Sequence, residues 1–153
     1  MFDVKGYFND KGDEYTLTTP KTRAPYINCL VNNKGYCFSI NQHGGGETLC
    51  KFEFTEKNTI TDNNERTIFF RDDETNDVWC AGGFPFVSEV EEFKCTHGQS
   101  STVISSAHNG IEVSVRTFVP LDRRCDIQTV TIKNLSDRER KISIFPAIKL
   151  LLS

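Results

Sequence analysis

No apolar run in this chain of 153 residues approaches the roughly 20 that a helix needs to cross a bilayer, so a helical membrane span is excluded. No cluster of Lys or Arg is present, and the formal net charge is −3. Nucleic acid is therefore a disfavoured partner, because phosphate binding needs a concentrated basic footprint. The opening stretch MFDVKGYFND lacks a basic segment followed by an apolar one, so no secretory signal is read and the expected compartment is the cytoplasm. The six cysteines never form C-x-x-C, which argues against a zinc site. With no export signal, buried thiols are expected rather than a disulfide framework. Asn134-Leu135-Ser136 fits a glycosylation acceptor, and in that context it reads as a turn.

Trp and Met occur once each, against twelve Phe. Ala and Leu are scarce in the first two thirds of the chain, so a Phe-filled core built from sheets is expected rather than helices. The clearest element is 102–120, TVISSAHNGIEVSVRTFVP. Asn109-Gly110 supplies the two positive-φ residues of a type I′ turn. Beyond it, Ile111, Val113, Val115 and Thr117 alternate with Glu112, Ser114, Arg116 and Phe118, the period of a half-buried strand. Pro120 ends that strand because it has no N–H to give a ladder.

Further strands are expected at 14–18, 26–31, 35–40, 49–55, 67–71, 77–80, 93–96, 126–133 and 141–145. Residues 56–65 read as a polar loop. About ten short strands separated by turns predict an all-β, antiparallel β-sandwich in one domain over 1–153. The apolar Leu150-Leu151-Leu152 at the end, with no turn or cap after it, reads as a chain interrupted within an element.

Residue by residue, no active site assembles. His43 precedes Gly44-Gly45-Gly46, but the phosphate-cradling loop also needs a Gly-Lys-Ser/Thr ending, so a flexible surface loop is expected. Asp72-Asp73-Glu74 invites a metal-binding or catalytic reading; at a hairpin tip it is expected to be a solvated turn. Cys95 and His97 share a strand face, yet no motif supports a nucleophile pair. His43, His97 and His108 all sit beside Gly or Asn, in contexts read as loops. Glu89, Glu91 and Glu92 are close, but spacing alone cannot put two carboxyl groups across a glycosidic bond. Tyr7, Tyr26, Tyr36 and Trp79 are candidates to stack on a sugar, with a core role for Trp79 equally expected.

A set of short motifs adds what composition cannot. In order these are Gly6 to Asp10 (GYFND), Glu14 to Thr22 (EYTLTTPKT), Pro25-Tyr26-Ile27-Asn28 and Gly35-Tyr36-Cys37-Phe38. They continue with Arg71-Asp72-Asp73, Asp77-Val78-Trp79, Phe93 to Gly98 (FKCTHG), Asn109-Gly110-Ile111, Phe118-Val119-Pro120 and Lys133 to Asp137 (KNLSD). In this order the chain resembles the N-terminal part of the inverting disaccharide phosphorylases of glycoside hydrolase family 94, the group of cellobiose and chitobiose phosphorylases. The resemblance implies a supersandwich of the galactose mutarotase-like type, followed by a helical linker and an α/α-barrel. That barrel carries the Asp general acid and the phosphate-binding residues, so no catalytic residue and no metal is expected in this chain. It further implies no cofactor beyond inorganic phosphate as co-substrate, an oligosaccharide of β-linked sugars as substrate, and partners in the chain's own barrel and a second subunit of a homodimer. Tyr36 is the one position carried over as a substrate contact. The family's basic stretch after the Tyr36 strand is replaced here by His43 and the glycine triplet. The rival expectation is a free-standing carbohydrate-binding or interaction module.

Overall fold

A computed structural model describes residues 5–51, 58–61, 66–84 and 90–150. No helix occurs among them. Strands β1 (Gly6–Phe8), β2 (Glu14–Leu17), β9 (Glu91–Gly98), β10 (Ser101–His108), β11 (Ile111–Phe118) and β12 (Ile127–Asn134) make one sheet in the order β1-β2-β9-β10-β11-β12. Every neighbouring pair is antiparallel. The β10–β11 hairpin is the one the sequence announced: Asn109 has φ 46° and Gly110 φ 75°, and His108 pairs with Ile111 across the turn. Along β11 the burial alternates as the period-two pattern requires.

Register turns that alternation into a core. Leu17, Cys95, Ile104 and Val115 lie opposite one another across β2, β9, β10 and β11, so one row points to one face. That face meets β7 (Arg66–Asp72) and β8 (Val78–Cys80), whose Ile68, Phe70 and Trp79 join the same apolar cluster. Each such side chain stabilises the fold by about 1.5–3 kcal/mol when it leaves water. Trp79 is 1% exposed, which settles its alternative readings in favour of the core.

Strands β13 (Ile142–Ile148), β7 and β8 form a three-stranded sheet in that order. Strands β3 (Ile27–Val31), β4 (Tyr36–Asn41), β5 (Thr48–Cys50) and β6 (Asn58–Thr61) form a four-stranded one. Leu30, Tyr36, Phe38, Ile40, Cys50 and Val119 make a second apolar cluster. Asn28 ties β3 to the large sheet, donating to Gly98 O at 2.8 Å and to Thr102 Oγ1 at 3.1 Å. The result is an all-β assembly of packed antiparallel sheets, as the alternation predicted.

Four expectations differ in detail. The glycine triplet is not a free surface loop: Gly45 is buried, and a Cβ on Gly46 would lie 1.6 Å from Ser39 O. A Cβ on Gly44 would lie in ordinary contact with Ile104 of the large sheet, so the loop packs against that sheet and the steric demand for glycine falls on Gly46. Within 56–65, read as a loop, the backbone of 58–61 pairs with β5 as β6; the second half of the strand expected at 49–55 lies outside the described residues. The acidic turn is only partly solvated. Asp72 is 2% exposed and accepts from Arg140 Nη2 at 2.5 Å, while Asp73 accepts from Arg71 and Ser143. The last strand runs through Pro146 to Ile148, three residues beyond the expected end, and proline is tolerated because β13 is an edge.

Candidate functional site

Tyr36 opens β4, directly after a turn in which Gly35 has φ 77°. The turn is fixed by Asn32, whose Oδ1 accepts from the N–H groups of Lys34 and Tyr36. The same side chain donates through Nδ2 to Pro120 O at 2.7 Å and Arg123 O at 2.6 Å, so the β3–β4 turn is locked to the β11–β12 connection. Tyr36 itself points inward and is 6% exposed. Its hydroxyl donates to Asp126 Oδ1 at 2.5 Å, and Arg66 pairs with the other oxygen of that carboxylate. The Arg66 guanidinium also lies 4.9 Å from the centre of the Phe38 ring. Burial and the adjacent carboxylate push the Tyr36 phenol well above its ordinary range, so at neutral pH it holds its proton and orients rather than transfers it.

A separate cleft is lined by residues 18–22, His43, Gly83, Phe84 and residues 90–94. Gln42, 2% exposed, ties two of the lining residues, Thr22 and His43, together from behind. Gln42 Oε1 accepts from Tyr26 N at 3.0 Å, and Nε2 donates to Thr22 Oγ1 at 2.7 Å. His43 Nδ1 lies 2.7 Å from Gly82 O; a carbonyl only accepts, so the proton sits on Nδ1 and Nε2 is left as an acceptor towards Gln42 Nε2 at 3.3 Å. Phe84 adds an apolar wall at 42% exposure. The acids of this cleft, Glu91 and Glu92, are neighbours at the start of β9, so they do not face each other from opposed walls. Glu89 lies outside the described residues. Phe84 and the Thr hydroxyls offer a ring apolar contact and hydrogen bonds, and among the described lining residues no two carboxyl groups face each other across the cleft.

The other histidines are not in loops. His97 lies in β9 and His108 closes β10. Cys95 Sγ is 3.6 Å from His97 Nε2, but burial pushes the thiol up to about 12 and the imidazole down. A protonated thiol beside a neutral ring is no activated nucleophile. His97 instead bridges sheets, with Nε2 3.2 Å from Tyr26 O and Nδ1 3.0 Å from Thr102 Oγ1. His108 Nε2 lies 2.6 Å from Asp77 Oδ2, which also accepts from Asn109 Nδ2 at 2.6 Å, and its ring sits 5.1 Å from Trp79. Tyr7 and Tyr26 are exposed aromatics. Among the described residues no three His, Cys, Asp or Glu are grouped to hold a metal ion. All six cysteines are free thiols; Cys50, Cys80 and Cys95 are buried, and Cys29 is exposed.

Sequence reasoning missed Asn32, Gln42, Arg66 and Asp126, the polar residues that organise both features. Their partners lie tens of residues away, so no local pattern marks them. Asn32 alone carried a signal, as the first residue of an Asn-Asn-Lys-Gly turn.

Residues 13–153 match the family described as "Glycosyl hydrolase 94, supersandwich domain". Across 97% of its length the chain is 34% identical to the 3-O-beta-D-glucopyranosyl-beta-D-glucuronide phosphorylase of Paenibacillus borealis, covering 19% of that protein. It is 30% identical to the N,N'-diacetylchitobiose phosphorylase of Vibrio proteolyticus over 97% of the chain and 19% of the relative. To the solabiose phosphorylase of Paenibacillus borealis it is 28% identical, over 96% of the chain and 20% of the relative. The chain thus spans about a fifth of the length of the curated relatives it matches. Ordered motifs, packed antiparallel sheets and a match over nearly all residues agree: the chain belongs to the glycosyl hydrolase 94 family through its supersandwich domain.

Proposed function

We propose that this chain is the non-catalytic N-terminal sandwich of an inverting disaccharide phosphorylase, which transfers a glycosyl group from a β-linked disaccharide to inorganic phosphate. The observation that carries this reading is the end-to-end likeness to a fifth of each of several phosphorylases. In an inverting hydrolase one carboxyl group protonates the leaving oxygen and a second activates water. Phosphate, already an anion, replaces the second, so a single acid in the barrel suffices. The sandwich then has structural work: it packs on the barrel, contributes to a homodimer and brings loops towards a substrate.

Exposed apolar side chains support a covering partner. Ile144, Phe145, Ile148 and Leu150 all stand in solvent on or just after β13. In this reading Tyr36 acts from its buried place, holding the 32–36 turn and the 120–126 connection in the shape that meets the substrate. Six free thiols suit a reducing cytoplasm. The test is phosphorolysis by the natural polypeptide that carries this sequence, with a panel of β-linked disaccharides and inorganic phosphate, beside the 153-residue chain alone. Sugar phosphate from the former and none from the latter is the expected result; turnover by the chain alone sinks the proposal.

A second reading, a carbohydrate-binding module, has one observation in its favour. Phe8 (66% exposed) meets Tyr15 edge-on at 4.9 Å, and Tyr15 stacks on Tyr26 (40% exposed) at 5.8 Å. That is a row of three aromatic rings, exposed at its two ends, of the kind on which sugar rings stack. Titrating the chain with cello-, laminari- and chito-oligosaccharides tests it; saturable binding lost in Tyr26→Ala supports the module.

A further inference from the structure

We infer that His97 is a pH-sensitive latch: its neutral ring ties the start of β3 to the large sheet, and protonation of that ring lets the start of β3 go.

Among the described residues β3 pairs with β4 alone, so it is the edge of its sheet. Its far end is anchored without His97. Asn32 donates to Pro120 O and Arg123 O, and Leu30 lies in the second apolar cluster. The near end, where Tyr26 and Ile27 are exposed, is tied by polar contacts to β9 and β10. Asn28 Nδ2 donates to Gly98 O and Thr102 Oγ1, and His97 Nε2 reaches Tyr26 O at 3.2 Å. The stack of Tyr26 on Tyr15 sits at the same end.

The direction of these bonds permits one form of the ring. Tyr26 O only accepts, so Nε2 carries the proton. Nδ1, 3.0 Å from Thr102 Oγ1, is then an acceptor. The Thr102 hydroxyl accepts from Asn28 and donates its own proton to Nδ1. A second ring proton would sit on Nδ1 and face that hydroxyl. Oγ1 would meet two donors, and its own proton would lose its acceptor at a residue that is 0% exposed. Protonation therefore breaks the relay that joins β9 and β10 to Tyr26 and Asn28.

The surroundings do not balance the new charge. From β2, Tyr15 stands opposite the ring, and the exposed Glu14 stands opposite Gly98 and accepts from Asn9. β9 itself adds Cys95, β10 adds Thr102, and β3 brings Asn28 and the exposed Cys29. The polar contacts of the ring are a thiol, a hydroxyl and a carbonyl, so among the described residues no carboxylate pairs with it. Burial accordingly lowers His97 below its ordinary 6.5. The open form binds the proton first. The latch is closed above that ordinary value and opens as the pH falls below it.

The test is hydrogen–deuterium exchange with mass spectrometry on the natural polypeptide that carries this sequence, corrected for the intrinsic pH dependence of amide exchange. Exchange at the imidazole C2–H of His97 gives the titration of the ring in the same samples. Opening of a peptide covering 26–31 should rise at least about tenfold between pH 7 and 5, with the midpoint of the His97 titration. A peptide covering the β10–β11 hairpin should change less. In His97→Gln, whose amide can donate to Tyr26 O and accept from Thr102 but gains no proton, the rise should disappear. No rise at 26–31, a rise kept in His97→Gln, or an equal rise in the hairpin would each overturn the inference. The midpoint comparison needs no variant: an opening whose midpoint departs from that of His97 also overturns it.

Discussion

The Tyr36 hydroxyl and the Asp126 carboxylate, ninety positions apart in sequence, meet at 2.5 Å inside the protein. The contact joins β4 to the start of β12, and Arg66 completes it from β7. Tyr36→Phe keeps the ring and removes the donor, leaving Asp126 to Arg66 alone. It should cost about 1.5–3 kcal/mol, the range for a hydrogen bond to a charged group. Urea unfolding measures it; a loss within error would mean that the node does not hold the two elements.

Two glycines separate collision from backbone strain. Gly46→Ala places a Cβ on Ser39 O and should destabilise by about 3 kcal/mol or more. Gly12, at φ 71°, has open space around its missing Cβ, so Gly12→Ala meets only left-handed strain of about 1–2 kcal/mol. Thermal melts of the two variants should differ in that order. Equal losses would place the glycine triplet in the free loop that its sequence suggested.

How much of this was legible follows from where the determining partners lie. The β10–β11 hairpin was readable because Asn109-Gly110 and the alternation after it are local. The packed state of Gly44-Gly45-Gly46 was not, since its neighbours are Ser39 and Ile104, on other strands. Asp72 looked solvated because its partner Arg140 lies 68 residues away. Tyr36 was drawn out by its motif, yet its burial depends on Asp126 and the β11–β12 connection. Local pattern gave strands and turns; long-range pairing decided which polar residues went inside.

Acid should weaken the fold in two steps. Burial lowers His97 below its ordinary 6.5, so the unfolded chain binds the extra proton first. Stability is then full above about pH 6.5 and declines as the pH falls below it. His97→Gln, which can still donate and accept, should flatten that slope between about pH 7 and 5. Lower down, hydrogen bonds from Arg140 depress Asp72, and those from Ser143 and Arg71 depress Asp73. Their contribution is present above 3.8, the unfolded value, and disappears as the pH drops through their lower folded values. An unfolding free energy that is level from pH 7 to 5 and unchanged by His97→Gln would contradict the burial of this ring.

Thiol chemistry reads the same interior. Cys95 is driven up to about 12 and Cys80 is also raised, both by burial, whereas Cys29 is exposed. Alkylation of the native chain near pH 8, followed by peptide mass mapping, should mark Cys29 and spare Cys80 and Cys95 until denaturant is added. Rapid labelling of Cys95 in the native chain would count against its place in the core.

The central claim is that these residues are one domain of a phosphorylase rather than an independent protein. An antibody to this sequence, with intact mass of the captured polypeptide from its own cells, tests that claim most directly. The account predicts a product several times longer than 153 residues, in keeping with relatives of which the chain covers about a fifth. A product of this length would contradict it and leave a sandwich that works alone.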